Sequence, residues 1–521
     1  MSLALPVRSQ GRDQGMFAGS RPPTPPTFTW TFQDSWTWSL IAVVALFTRF
    51  LGLSSATAGG TPVFDEKHYA PQAWDMVRSW INPVTGGIES NPGFGLVVHP
   101  PLAKQIMALS EMVFGYSPLG WRLMTAVFGT LTILAIMAIT RRLSGSTLVT
   151  FIAGVIATAD GVLLVSSRFG MLDIFQVFFI TAAAWTLIRD HQQMHARIAG
   201  AFGALTSGWA SDYGPRFGFR WWRFTTGVLL GLSLGVKWSG LYYIAFYGLT
   251  SVFLDLWLRR RYGVRRYVSG TVMRDVLPAL GSLVVVPVLL YIWAWRAWFA
   301  SETSVYRHAR VDGTISGDSF LRILPDSVAG WIHYHLSVLE FHSSLTTSNG
   351  HSHPWDSKPW SWLVAGRPIL YYSSTDIECA VGGTCRRMIY LFGTPAIWWL
   401  TVPVIVWALW SVVIRRQGAF IIPLVGFAAG FLPWLATYDR QMYFFYATAL
   451  IPFTIVMLAL VCGQLWQRGT PRFRGLTTGS LAVIGYLGLV VMMFLAYSPI
   501  LYGYLVPDSV YYSLMWMPSW R

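Results

Sequence analysis

Charge is what this chain has least of. Only 12% of its 521 residues are Asp, Glu, Lys or Arg, against roughly 25% in a soluble domain. That scarcity excludes an ordinary water-soluble globule and leaves lipid facing much of the surface. Several recognisable chemistries are missing too. There is no Walker-type loop, no dinucleotide glycine fingerprint after a strand, and no His-Glu-x-x-His metal grammar. Nucleotide cofactors therefore have no support, and no resident metal is indicated. Repeated halves, which a secondary transporter would show, are also absent.

What is abundant is apolar and aromatic. Hydrophobic residues make up 54% of the chain and aromatics 16%, with 27 Trp and a mean hydropathy of +0.47. The net charge of +15 could suggest nucleic acid. The basic residues, however, fall between apolar stretches, as in anchoring against an anionic cytoplasmic leaflet, so no nucleic-acid partner is expected.

Stretches of about 20 apolar residues, long enough to cross hydrocarbon as helices, occur at 37–53, 121–140, 147–166, 171–188, 224–240, 241–258, 276–298, 388–412, 417–436, 444–464 and 478–498. The expected fold is all-α and polytopic, with about eleven transmembrane helices. Residues 1–36, rich in Pro, Gly and Arg, read as a disordered cytoplasmic arm. Residues 37–521 read as one membrane unit. Alternating from a cytoplasmic N-terminus puts Arg141-Arg142, the segment 189–223, Arg259-Arg260-Arg261, Arg415-Arg416 and the segment 468–474 inside, which obeys the positive-inside rule and leaves the C-terminus outside. Ala56-Thr57-Ala58 resembles a signal-peptidase site. A long preceding arm and the interrupting Arg49 favour a retained span. Two external loops are large, 54–120 and 299–387, and loops of that length are usually functional or disordered. The second holds Cys379 and Cys385 in a compartment where a disulfide can persist. Cys462 reads as a buried thiol.

Polar residues gather on the external face. Phe64-Asp65-Glu66-Lys67-His68 follows the first span, and His99-Pro100-Pro101-Leu102-Ala103-Lys104 comes later in the same loop. Taken alone, adjacent carboxylates are usually just solvated. Their company is harder to dismiss: Arg168 and Asp173 flank an outer turn, Lys237 ends a span in Gly235-Val236-Lys237-Trp238, and Arg49 lies near the outer end of the first span. Ionised side chains within a membrane are costly and normally face partners or a polar cavity, although each of these cations could snorkel to the interface. Cations for an anion, with a carboxylate for a proton, suggest group transfer from a phosphate-linked donor. Asp160, inside a span, reads as a helix–helix hydrogen-bonding group. His342 and the run His351-Ser352-His353-Pro354-Trp355 read as part of a Pro-braced aromatic cap. Asp439-Arg440 reads as an ion pair or a contact to a donor headgroup.

In their order and shared face, these motifs resemble the protein O-mannosyltransferases, glycosyltransferase family 39, in their actinobacterial-like form. Thr48-Arg49-Phe50, Phe64-Asp65-Glu66-x-His68, His99-Pro100-Pro101-x-Ala103-Lys104, Ser167-Arg168-x-x-Met171-Leu172-Asp173, Gly235-Val236-Lys237-Trp238 and His353-Pro354-Trp355-x-Ser357-Lys358-Pro359-Trp360 carry the likeness. It implies a GT-C membrane fold and transfer of mannose, with inversion, from polyprenyl-phosphate-mannose to Ser or Thr of exported proteins. The expected place is the plasma membrane, with the translocon a possible feeder of chains. In this mapping Asp65 is the base and Glu66 orients acceptor or base. Arg168 and Lys237 stabilise the leaving phosphate, Arg49, Asp173 and Arg440 contact the donor, and His99, Lys104, His353 and Trp355 support the acceptor side. No cofactor is required, though a divalent ion at Asp65 and Glu66 stays open. The second loop has no room for the β-trefoil MIR domain of eukaryotic members. A related transferase acting on a glycan or lipid is the nearest alternative.

Overall fold

The computed structural model describes residues 28–55, 57–78, 98–205, 209–380, 382–473 and 475–521. The expected arm up to residue 27, Ala56 of the cleavage-like triplet and residues 79–97 of the first external loop lie outside them. Fifteen helices position the site. They are α1 (Phe32–Phe50), α2 (Glu66–Arg78), α3 (Leu102–Phe114), α4 (Pro118–Ser144), α5 (Thr147–Thr158), α6 (Gly161–Arg168), α7 (Asp173–Gly203), α8 (Trp221–Val236), α9 (Gly240–Arg261), α10 (Tyr267–Ala294), α11 (Asp326–Ser344), α12 (Pro395–Val413), α13 (Gly418–Leu435), α14 (Ile451–Trp466) and α15 (Thr478–Tyr502).

Each predicted apolar stretch falls on a helix, but the expected number of crossings is not established by them. Among the described residues, six helices are long and apolar enough to span a bilayer: α4, α9, α10, α12, α13 and α15. Counting α5 and α6, bent by 61°, as one broken span makes seven. Two predicted boundaries also move. Residues 388–391 close a β-strand, and α12 begins only at Pro395. Phe444–Ala449 form a tighter 3-10 turn before α14 starts at Ile451, with Pro452 in its first turn. Proline is tolerated there because the missing N–H would have no intrahelical partner.

Local chemistry explains the rods. In α4 the Ser117 hydroxyl accepts from the Gly120 N–H at 3.2 Å, Pro118 opens the helix, and Gly145 ends it at φ +67°, a left-handed cap that glycine adopts without strain. Close packing follows from small residues: a Cβ on Gly129 would meet the Ser167 hydroxyl at 1.9 Å, so α4 and α6 lie nearly in backbone contact. At the bend, the Asp160 carboxylate accepts from the Leu163 N–H and from the Trp398 indole, both at 2.8 Å. It thus caps α6 and ties it to a second helix.

The helix ends remote from Asp65 carry paired charges. Arg141 makes a two-pronged contact with Asp34 at 2.7 and 2.8 Å, Arg259 does so with Asp275 at 2.6 and 3.0 Å, and Arg220 bridges Asp190 and Asp255. These arginines are buried, so several cations expected in loops are structural. Over the opposite end, β1 (Ile369–Glu378) pairs antiparallel with β2 (Thr384–Leu391). Cys379 and Cys385 are joined as a disulfide at that turn. Cys462 is buried and free.

Candidate active site

Asp65 stands at the start of α2, where its carbonyl accepts from the His68 and Tyr69 N–H groups at 3.0 and 3.1 Å. Phe64, immediately before it, sits at φ +49°. A bulky residue rarely adopts that left-handed conformation, and such strain persists only where surroundings enforce it. Here Phe64 stacks on Tyr371 of β1 at 4.5 Å. Behind it Glu66 is buried and wholly engaged. Its oxygens accept from Arg122 Nε and Nη2 at 2.7 and 2.9 Å, from Gly170 N–H at 2.8 Å and from Val63 N–H at 3.0 Å. Four donors occupy a carboxylate's four principal lone-pair directions. Glu66 therefore anchors the strained turn through its backbone and has no lone pair left for a divalent ion shared with Asp65.

The Asp65 side chain stays half-buried, with the Tyr69 hydroxyl 3.5 Å away. Burial pushes its carboxyl up to about 6, while the Lys237 ammonium and His68 pull down and the Asp173 carboxylate pushes further up. A carboxyl so placed is ionised near neutral pH yet basic enough to take a proton.

Lys237 and Asp173 form the polar floor nearby. Lys237 caps the end of α8 and contacts Asp173, at the start of α7, at 2.7 Å. One turn along α7, the Gln176 amide donates to the Lys237 carbonyl at 3.1 Å and accepts from Ser239 at 3.0 Å, fixing that turn. These residues line a cavity of about 400 Å³ that also includes His99, Trp434, Arg440 and Tyr446, a size suited to a small polar ligand. Arg440 does not pair with Asp439. Its guanidinium lies 5.6 Å from the Trp434 ring centre and contacts His342 Nδ1 at 3.1 Å, and its Nε is buried without a partner. His99 is held neutral, driven well below its ordinary value first by burial and then by Lys237 and other nearby groups. Two cations and neutral imidazoles thus line a space able to receive a phosphate, and the Asp65 carboxyl lies within electrostatic reach of its Lys237 and Asp173.

The other expected residues lie elsewhere. The Arg49 guanidinium donates to the Thr158 and Ala157 carbonyls at 2.9 and 3.2 Å, closing the end of α5. Arg168 donates to the Arg49 and Leu51 carbonyls at 3.0 and 2.6 Å, closing the end of α1, and packs 4.4 Å from the Tyr502 ring centre. Both are buried, and their donors cap helices where a phosphate contact had been expected. Buried Lys104 reaches the His99 carbonyl at 3.4 Å, which ties the His-Pro-Pro turn to α3. His353 is exposed and faces Tyr443, and Trp355 packs under Arg367; both shape the loop above the site. Sequence reasoning missed Arg122 and Gln176. Their signal was available, since each is a strongly polar side chain inside an apolar run.

Comparison with known proteins bears on this geometry. Residues 110–299 match the family described as dolichyl-phosphate-mannose-protein mannosyltransferase, and residues 327–520 match the C-terminal four-transmembrane region of protein-O-mannosyltransferase. A Corynebacterium glutamicum protein named polyprenol-phosphate-mannose–protein mannosyltransferase is 77% identical over the whole of both chains. The chain belongs to the protein O-mannosyltransferase family. A member of the same name from Mycobacterium tuberculosis is 44% identical over 92% of this chain and 91% of its own. Among solved structures, the S. cerevisiae protein O-mannosyltransferase Pmt1-Pmt2 complex bound to the sugar donor aligns with TM-score 0.70 at 15% identity, covering 95% of this chain and 93% of that one. ArnT from Cupriavidus metallidurans, bound to undecaprenyl phosphate, aligns with TM-score 0.52 at 16% identity, covering 90% and 77%. These likenesses establish the GT-C fold. Membership makes the chain a multi-pass membrane glycosyltransferase.

Proposed function

We propose that this mannosyltransferase moves mannose, with inversion, from polyprenyl-phosphate-mannose to Ser or Thr hydroxyls of exported proteins at the outer face of the plasma membrane. The observation that carries this is the half-buried Asp65 carboxyl beside a cavity whose polar wall holds Lys237, Asp173 and Arg440. The acceptor hydroxyl is a weak nucleophile and needs a base in the transition state. Its oxygen forms a bond to the anomeric carbon while the bond from that carbon to the phosphate oxygen breaks. The hydroxyl proton passes to Asp65, and the lipid leaves as a phosphate monoester. That leaving group gains negative charge instead of requiring a proton, so preorganised cations suit it. Lys237 and Arg440, which both line the cavity, supply them.

Leu241, 56% exposed on α9, also lines the cavity. A lipid-facing residue at the wall supports sideways approach of the prenyl chain, with protein arriving from water. The basic loops support a cytoplasmic N-terminus and an external C-terminus, with residues 37–521 acting as one catalytic unit and the translocon a fitting source of acceptor.

The test is purified protein incubated with labelled polyprenyl-phosphate-mannose and a Ser/Thr/Pro-rich peptide. Label should reach the peptide and be lost in Asp65→Asn while the variant stays folded. Label on a glycan or lipid instead would assign the chain to the related class of transferases. Full transfer by Asp65→Asn would remove Asp65 as base.

A further inference from the structure

The Arg440 guanidinium is gripped by a side chain of the second external loop, His342 of α11. His342 Nε2 lies 3.2 Å from the Val98 carbonyl, and Nδ1 lies 3.1 Å from Arg440 Nη2. A carbonyl only accepts and a guanidinium only donates. The two partners therefore assign the tautomer, with the proton on Nε2 and the lone pair on Nδ1. A protonated ring would have no lone pair there. Burial first, then Arg440 and Lys237, pushes this imidazole down to about 4, so it remains an acceptor.

The helix that delivers His342 is itself pinned seven residues earlier, on the same face two turns away. His335 Nδ1 is 2.7 Å from the Trp331 carbonyl, and its Nε2 is 2.8 Å from the Tyr291 hydroxyl. That hydroxyl accepts from the Trp238 indole at 2.8 Å. One face of α11 thus holds both Trp238, next to Lys237, and the Arg440 guanidinium. Two cations from distant parts of the chain share one brace.

We propose that His342 is a positioning residue for donor binding, its Nδ1 lone pair holding the Arg440 guanidinium at the cavity wall where it can meet the phosphate. This rests on the reading of Arg440 as a phosphate contact. The test compares His342→Phe, which keeps a ring but no acceptor, with His342→Asn, whose amide oxygen can replace Nδ1. Losing a hydrogen bond to a charged group should raise the KM for polyprenyl-phosphate-mannose by about tenfold to a hundredfold in His342→Phe. The peptide KM should stay unchanged, and His342→Asn should return donor KM close to wild type. In an Arg440→Lys background, His342→Phe should add little, because the group it orients is gone. A wild-type donor KM in His342→Phe would overturn the proposal. So would failure of His342→Asn to rescue, or full additivity with Arg440→Lys. Wild-type protein that transfers no mannose would instead remove the underlying reading, and this proposal with it.

Discussion

Arg49 and Arg168 differ from Lys237 and Arg440 in what their charges already do. All four sit toward the face that carries Asp65, and by residue type all four could serve an anion. Arg49 and Arg168 point into helix ends and donate to carbonyls at 2.6–3.2 Å. Such carbonyls have no intrahelical partner and are costly to bury unpaired. Lys237 and Arg440 line the cavity, the first beside Asp173 and the second against His342. A charged residue near a membrane interface is therefore weak evidence for a site until its structural duties have been subtracted.

Substitutions separate the structural cations from those at the cavity. Arg122→Ala should have the largest effect, because it strands the buried Glu66 carboxylate. Breaking one side of a buried ion pair costs about 3–5 kcal/mol, seen as a large drop in detergent melting temperature or in folded yield. Lys237→Ala should slow transfer by roughly 10²–10³, the scale for one lost transition-state donor. Its check is single-turnover kinetics at saturating peptide. Arg168→Ala should cost about 1–3 kcal/mol of stability through carbonyls left unpaired, while turnover per folded molecule remains near wild type. A donor-specific KM defect in that variant would show that Arg168 serves the donor as Lys237 and Arg440 do. The smallest effect is a pH dependence. The carboxylate form of Asp65 is the active one and is lost as pH falls through about 6. Acceptor kcat/KM should thus be flat above that pH and fall about tenfold per unit below it.

Much of the architecture was legible from hydropathy and punctuation. Runs of about 20 apolar residues located the helices, and Asp65, Lys237 and Arg440 stood out because such charges gather on the external side of those runs. The count of crossings was less legible, because apolar length does not distinguish a full span from a bent pair such as α5 and α6. Residues 388–391 misled for a related reason: an apolar run fits a buried strand as well as a helix, and only pairing with β1 decides between them.

Composition, period and ordered motifs were enough for the membrane class, the positions of the helices and the family to which this chain belongs. Tertiary structure alone decided which charges are structural. It placed Glu66 among four donors from Arg122, Gly170 and Val63, turned Arg49 and Arg168 into helix caps, and brought Arg440 to His342 across 98 positions. The reason is physical. Burial in a low-dielectric interior makes every unpaired polar group costly, and the partners that satisfy it are chosen by distance in space, which linear spacing does not encode.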